Sequence, residues 1–268
     1  MDYGYQLLRH VVQQVFGNLG AAARITILPI HLAYVLCGVL LYMLVGSVLF
    51  ELAQQGQGQF GAPTPNPFES DAQAAAFAGR FFLGVVVCIP IFLIFYSWAA
   101  VGWHRYVLLE EHASGVAGAW NGKRIQSYIG AILRVALVMM ALGFAASVVF
   151  GIILAVLPSP GVVLFLTEGM VIGFTWVFTR LGLVLPSAAL GTYMKMGDSW
   201  AATQPVSGAI LLPIIVIPLA FLIINTITGL LGILGVILYL GVAWIQALVN
   251  LALLTTLYGN LIEGRQLN

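Results

Sequence analysis

The chain is poor in charge. Of 268 residues only 10 are Lys or Arg and 9 are Asp or Glu, 7% in all, where an ordinary soluble domain carries about a quarter. A surface facing water on all sides cannot be built from so few. The same shortage excludes nucleic-acid binding, which needs a basic face to meet phosphates.

Cysteine is nearly absent too. Cys37 and Cys88 are the only two, and neither has the spacing of a CxxC pair or of a Cys/His metal set, so they read as buried packing residues. HExxH, a nucleophile elbow and a phosphate-binding glycine loop are all missing. No metal, cofactor or soluble-enzyme chemistry is expected from this sequence.

What the chain has is apolar length. Hydrophobic residues make up 61% of it and its mean hydropathy is +1.04. A bilayer-spanning helix needs about 20 mostly apolar residues, and six stretches qualify, at 25–50, 81–103, 129–157, 162–185, 209–231 and 233–258. Lipid offers no partner for free backbone groups, and these runs are too long for barrel strands. The expected fold is all-α: one polytopic membrane domain of six transmembrane helices arranged as three hairpins. The first run lies too deep and is too long for a cleavable signal peptide, whose apolar core is about 7–15 residues.

Orientation follows from the basic residues. With a cytoplasmic N-terminus, Arg9, Arg24, Arg105, Lys123, Arg124, Arg134, Arg180, Lys195 and Arg265 fall on or near the inner side, leaving Arg80 alone outside. That asymmetry is a positive-inside pattern, and both termini are expected to be cytoplasmic. The connection at 51–80, rich in Gln, Gly, Pro and Ala, is the one sizeable outer loop, with a short helix around "DAQAAAFAG".

Within residues 1–24, Leu7/Leu8, Val11/Val12 and Val15/Phe16 alternate with Gln6, Arg9/His10 and Gln13/Gln14. This rhythm predicts an amphipathic helix in the headgroup plane, as an anchor, a lipid sensor or a partner-docking helix. Phe16, Trp120 and Trp200 each stand nine residues before a span, and "ITILPI" at 25–30 is echoed by "AILLPI" at 209–214. The implied unit is an inner-surface helix followed by a hairpin, used three times.

These features, with "RLGLVLPSAALGTYMKMGDSWAAT" at 180–203 and "WHRYVLLEE" at 103–111, resemble bacterial inner-membrane families: the YciC-like proteins and the helical membrane domain that accompanies some glycerophosphodiester phosphodiesterases. The resemblance implies a six-helix membrane fold. It carries no catalytic residue to this chain, because the phosphodiesterase domain has no counterpart here.

Candidate functional residues gather at the inner boundary. His104, Arg105, Glu110, Glu111 and His112 follow the second span, beside an expected aromatic belt of Trp98, Trp103 and Tyr106. Arg105 has no acid three or four residues away, so the glutamates need partners elsewhere, among Lys123, Arg124, Arg134 and Arg180; Glu110 or Glu111 is expected to pair with Arg180 or Arg134, tying hairpins together, or else to meet anionic lipid or a substrate. Inside the bilayer, Glu168 is expected to reach water or Arg80. Gln246, with Asn250 one turn on, faces the depth of Pro218, which frees the carbonyl of Ile214 for a hydrogen bond. Gln246, Asn250 and Asn225 are thus either interhelical glue or the lining of a solute pathway. Gly169/Gly173 and Gly143/Ser147/Gly151 suggest close helix contacts.

Two function classes follow. One is a non-enzymatic membrane component that binds lipid or a partner, as an accessory or assembly subunit of a larger complex. The other is a transporter or permease for a small solute with its site near Gln246.

Overall fold

A computed structural model describes residues 2–55, 68, 70–112, 115 and 117–267. Among these there are nine α-helices and no strand: α1 (Tyr3–Phe16), α2 (Leu19–Gln55), α3 (Asp71–Leu109), α4 (Gly122–Val156), α5 (Pro160–Leu181), α6 (Val184–Leu190), α7 (Met196–Thr203), α8 (Leu211–Gly229) and α9 (Ile233–Leu261). Six segments are long and apolar enough to cross a membrane, namely α2, α3, α4, α5 with α6, α8 and α9. The protein is an all-α, polytopic membrane protein.

Helix starts are set by short polar side chains. The carboxylate of Asp2 accepts from the Gly4 amide, Ser70 Oγ from Gln73, Asn121 Oδ1 from Arg124, and Ser159 Oγ from Val162 with Pro160 at the first helical position. Each supplies an acceptor to an amide that the helix leaves orphaned. The spans overrun their expected limits: α2 begins at Leu19 and α3 at Asp71, so the "DAQAAAFAG" stretch is the start of the second span and not a separate loop helix. Residues 56–67 and 69 of the expected outer loop lie outside the described residues.

The core sits at one end of the bundle. In α4 the buried residues are Ile125, Tyr128, Ala131 and Val135, all in its first half; in α5 they are the last three, Thr179, Arg180 and Leu181. Buried residues of α9 run from Leu248 to Tyr258. α1, the end of α3, α6 and α7 meet there, and α1 packs on α8 and α9. Away from that end α2 and α3 stay closely packed, with each of the Cys37 and Cys88 thiols donating to the other's carbonyl at 3.8 and 3.9 Å, and the start of α9 packs Gly235 against Thr228 of α8.

Three expectations change. The α1 stripe Leu7, Val11 and Val15 is fully buried in protein rather than in headgroups, because α8 and α9 end beneath it; Tyr5, Val12 and Phe16 form a second, exposed apolar face. The repeat unit holds for the first and third hairpins, with α1 and α7 as short leading helices, but the described residues between Leu109 and Gly122 are non-helical. The small-residue stripes do not mediate close packing: a Cβ on Gly151, Gly169 or Gly173 would meet nothing within 4 Å, and one on Gly143 would touch only the Phe174 ring at 3.7 Å.

Candidate functional site: an apolar cleft beside a polar collar

α3 ends where Glu110 adopts a left-handed conformation (φ 57°), letting the amides of Glu110 and Glu111 return to the Arg105 carbonyl. The reversal carries Glu111 back onto the Arg105 guanidinium in a two-point ion pair. The expected pairing of Glu110 or Glu111 with Arg180 or Arg134 is therefore not what forms. Spacing rules for a continuous helix miss a contact made by the chain folding back at a helix end. Arg105 also donates to the carbonyl of Ala189 at 3.1 Å, so the tie between hairpins runs from α3 to α6. Arg265 donates to the carbonyls of Val107 and Leu108, satisfying two acceptors at the C-terminal end of α3, where positive charge is favoured.

Arg180 has a different partner set. Its guanidinium lies 3.5 Å from the centre of the Trp200 ring and 4.8 Å from that of Trp176. It donates to Thr203 Oγ1 at 3.2 Å and to the Trp200 carbonyl at 2.9 Å, while Ser199 donates to its backbone carbonyl at 2.6 Å. The Arg and Ser-Trp-x-x-Thr elements of the 180–203 stretch are thus one clasp, folding α7 onto the end of α5. Cation–π contact with two indoles set nearly perpendicular, at 81°, lets a weakly hydrated cation be buried without a carboxylate. Arg134 is exposed and stands 5.7 Å from the Tyr193 ring.

His104 is the centre of the collar. It is fully buried rather than at the boundary, on the α3 face that also buries Ser97, Val101 and Leu108. Trp103, expected in an interfacial belt, is likewise fully enclosed by protein. The His104 Nδ1 lies 2.8 Å from Thr255 Oγ1 of α9, and its Nε2 lies 3.3 Å from the Tyr128 hydroxyl of α4. Thr255 spends its single proton on the Leu251 carbonyl at 2.7 Å. Its oxygen can then only accept, which fixes Nδ1 of His104 as the donor and leaves Nε2 to accept from Tyr128. Three spans are joined by one neutral imidazole whose two nitrogens are both satisfied.

Two cavities flank this junction. Thr255 lines a cavity of about 610 Å³ walled by polar side chains of α1, α3, α9 and the C-terminal residues. Tyr106 bonds to Asn18 and Thr256 to Gln14 across it, and Asn260 accepts from Tyr3 of α1. Tyr128 lines the second, a cleft of about 890 Å³ between α3, α4, α5 and α9. Its walls are apolar, with Phe92, Phe174 and Phe178 among them, and it is open at the side, where Ile89 is 53% and Phe178 38% exposed. The volume lies in the range of about 300–1,000 Å³ usual for small-molecule sites. It exists because α4 and α5 touch sparsely above the collar.

The other candidates are dispersed. Asn250 lines the cleft, whereas Gln246 and Asn225 do not. Gln246 is half-buried and makes no hydrogen bond among the described residues, so the expected bond to the Ile214 carbonyl is not formed; Asn225 Oδ1 is buried and likewise unsatisfied. Glu168 is exposed on α5, and no ion pair joins it to Arg80. Tyr128 and Thr255 were not singled out by sequence, and Trp200 only as a mark of the repeat. The signal for the first two lay in the 3–4 residue spacing of Ser97, Val101, His104 and Leu108, which marks His104 as inward-facing.

Among the described residues, no three His, Cys, Asp or Glu side chains are grouped to hold a metal. Comparison with known proteins gives no family model, no curated protein and no solved structure that matches the chain.

Proposed function

We propose that the protein is a non-enzymatic, lipid-binding component of a bacterial inner membrane, with both termini cytoplasmic, that takes the chain of a bilayer lipid into the cleft between α3, α4, α5 and α9. One observation carries this reading: an apolar recess of about 890 Å³ at span depth, opening sideways where lipid lies. Van der Waals packing with an acyl or isoprenoid chain fills a recess that water would enter only at a cost. The inner collar, with Lys123, Arg124 and Arg134 beside it, fits the cytoplasmic side by the positive-inside pattern. Layout and the 180–203 stretch favour kinship with the YciC-like families, and the exposed α1 face suits assembly with a larger membrane complex.

Ala136→Trp, placed on the cleft wall, tests the reading. Native mass spectrometry of the purified protein is expected to show retained lipid falling about tenfold against wild type, while Arg134→Ala changes it little. Equal lipid retention in Ala136→Trp and wild type would overturn the proposal. The transport alternative retains one supporting observation, the position of Asn250 in the cleft; solute uptake by reconstituted vesicles, lost on Asn250→Leu, would favour it.

A further inference from the structure

The polar groups of the cleft specify the head of its ligand. The chemistry at its rim is sparse: among the residues that line it none is charged, and the polar ones are Tyr96, Tyr128, Thr175 and Asn250, together with the thiol of Cys88. Thr175 commits its proton to the Val171 carbonyl at 2.8 Å, and Tyr128 commits its own to Nε2 of His104, whose tautomer is fixed by Thr255. The Tyr128 oxygen therefore offers a lone pair and no proton. The Tyr96 hydroxyl makes no hydrogen bond among the described residues and remains a donor. Asn250 can do both.

We infer that the cleft, read as the lipid site proposed above, is selective for an uncharged lipid whose head is a hydroxyl seated between the Tyr96 and Tyr128 hydroxyls or a carbonyl received by Tyr96 or Asn250. A phosphate carried into this recess would find no cation among the lining residues, and an uncompensated charge at such depth costs several kcal/mol by typical scales. A hydroxyl gives its proton to Tyr128 and accepts from Tyr96; a carbonyl accepts from Tyr96 or the Asn250 amide. The flat walls of Phe92, Phe174 and Phe178 accept a ring as readily as a chain. His104 is a positioning residue here: by taking the Tyr128 proton it decides that the cleft presents an acceptor.

This chemistry has two sources in a membrane, a quinone-type ring lipid and a glyceride or prenyl alcohol. Delipidated protein in detergent is titrated with a decyl-substituted benzoquinone, with dioleoylglycerol and with dioleoylphosphatidylglycerol, and adducts are counted by native mass spectrometry. Saturable binding of one or both neutral probes, with the anionic phospholipid failing to compete, is the expected result; Tyr128→Phe weakens the glyceride, whose hydroxyl donates to Tyr128, about fivefold as one neutral hydrogen bond is lost, and leaves the quinone, which accepts from Tyr96, little changed. The quinone and the glyceride arms separate the two sources. Tyr96→Phe serves as the second variant should Tyr128→Phe not fold, and is expected to weaken the carbonyl probe more than the alcohol. Phospholipid binding as tightly as the neutral probes, or neutral binding unmoved by both variants, overturns the selectivity while leaving the lipid site standing. Loss of every probe's binding in wild type itself overturns both.

Discussion

The two ends of α4 and α5 differ in what lies between them. At the collar end Tyr128 reaches His104, Arg180 is clasped by α7, and every residue from Thr179 to Leu181 is buried. Toward the opposite end the same helices carry Phe144 and Phe165 at 75% and 78% exposure. Both ends are apolar by composition. Lipid solvates Phe and Leu as well as protein does, so apolar side chains alone give helices no reason to close; hydrogen bonds, stacked cations and tight packing do. The bundle is held where its few polar groups are, and the cleft opens where they stop.

Core truncation breaks this comparison hardest. Trp103→Ala removes a fully buried side chain from the collar and is expected to cost about 3–5 kcal/mol, whereas Phe165→Ala at the open end costs under about 0.5 kcal/mol. Thermal unfolding of the purified protein in one detergent measures both. Equal losses would mean that the halves away from the collar are packed after all.

Glycine gives the next contrast. Gly191 terminates α6 at φ 87°, and an added Cβ would fall on the Arg124 guanidinium; Gly191→Ala is expected to lose about 1–3 kcal/mol from strain and displacement. Gly169→Ala, in open space on α5, is expected to gain up to about 1 kcal/mol from helix propensity.

Arg180→Lys sharpens the electrostatic side. It keeps the charge but loses the guanidinium's contact with the Trp200 and Trp176 rings and the fork that reaches Thr203 and the Trp200 carbonyl. A loss of about 1–2 kcal/mol is expected, with indole emission shifted as α7 loosens. Unchanged emission would indicate that the two rings hold each other without the cation.

The smallest effect concerns α1. Burial raises the Tyr3 phenol from its usual 10 to about 12, while its hydroxyl donates to Asn260 Oδ1 at 2.7 Å. The protonated form is thus favoured in the folded chain: the contribution is complete below about pH 10 and is lost as pH rises toward 12. Amide exchange of α1 is expected to accelerate across that window in the wild type and to change less in Tyr3→Phe. A window unaltered by the substitution would assign the change to another group.

The six spans were legible because twenty apolar residues in a row have one physical use, and their ends overran because helices continue past the lipid boundary. The site was less so. Arg105 and Glu111 are six apart, and only the left-handed turn at Glu110, a residue with no glycine's licence for it, brings them together. His104 looked like one more boundary charge beside Arg105, although its spacing from Ser97 and Val101 already turned it inward. Arg180 lay within a stretch whose pattern was visible, yet nothing in the order Ser-Trp-x-x-Thr says that an indole replaces a carboxylate as partner. Cleft residues such as Phe174 and Ile132 are indistinguishable in sequence from those that face lipid, since what separates them is the splay of two helices.

The opposed thiols of Cys37 and Cys88 have a practical corollary. Both are enclosed where α2 meets α3, within spans that water-soluble maleimides do not enter. An engineered cysteine at any solvent-facing position would therefore be the one that such reagents mark, so distance measurements by paired spin labels can begin from the native background.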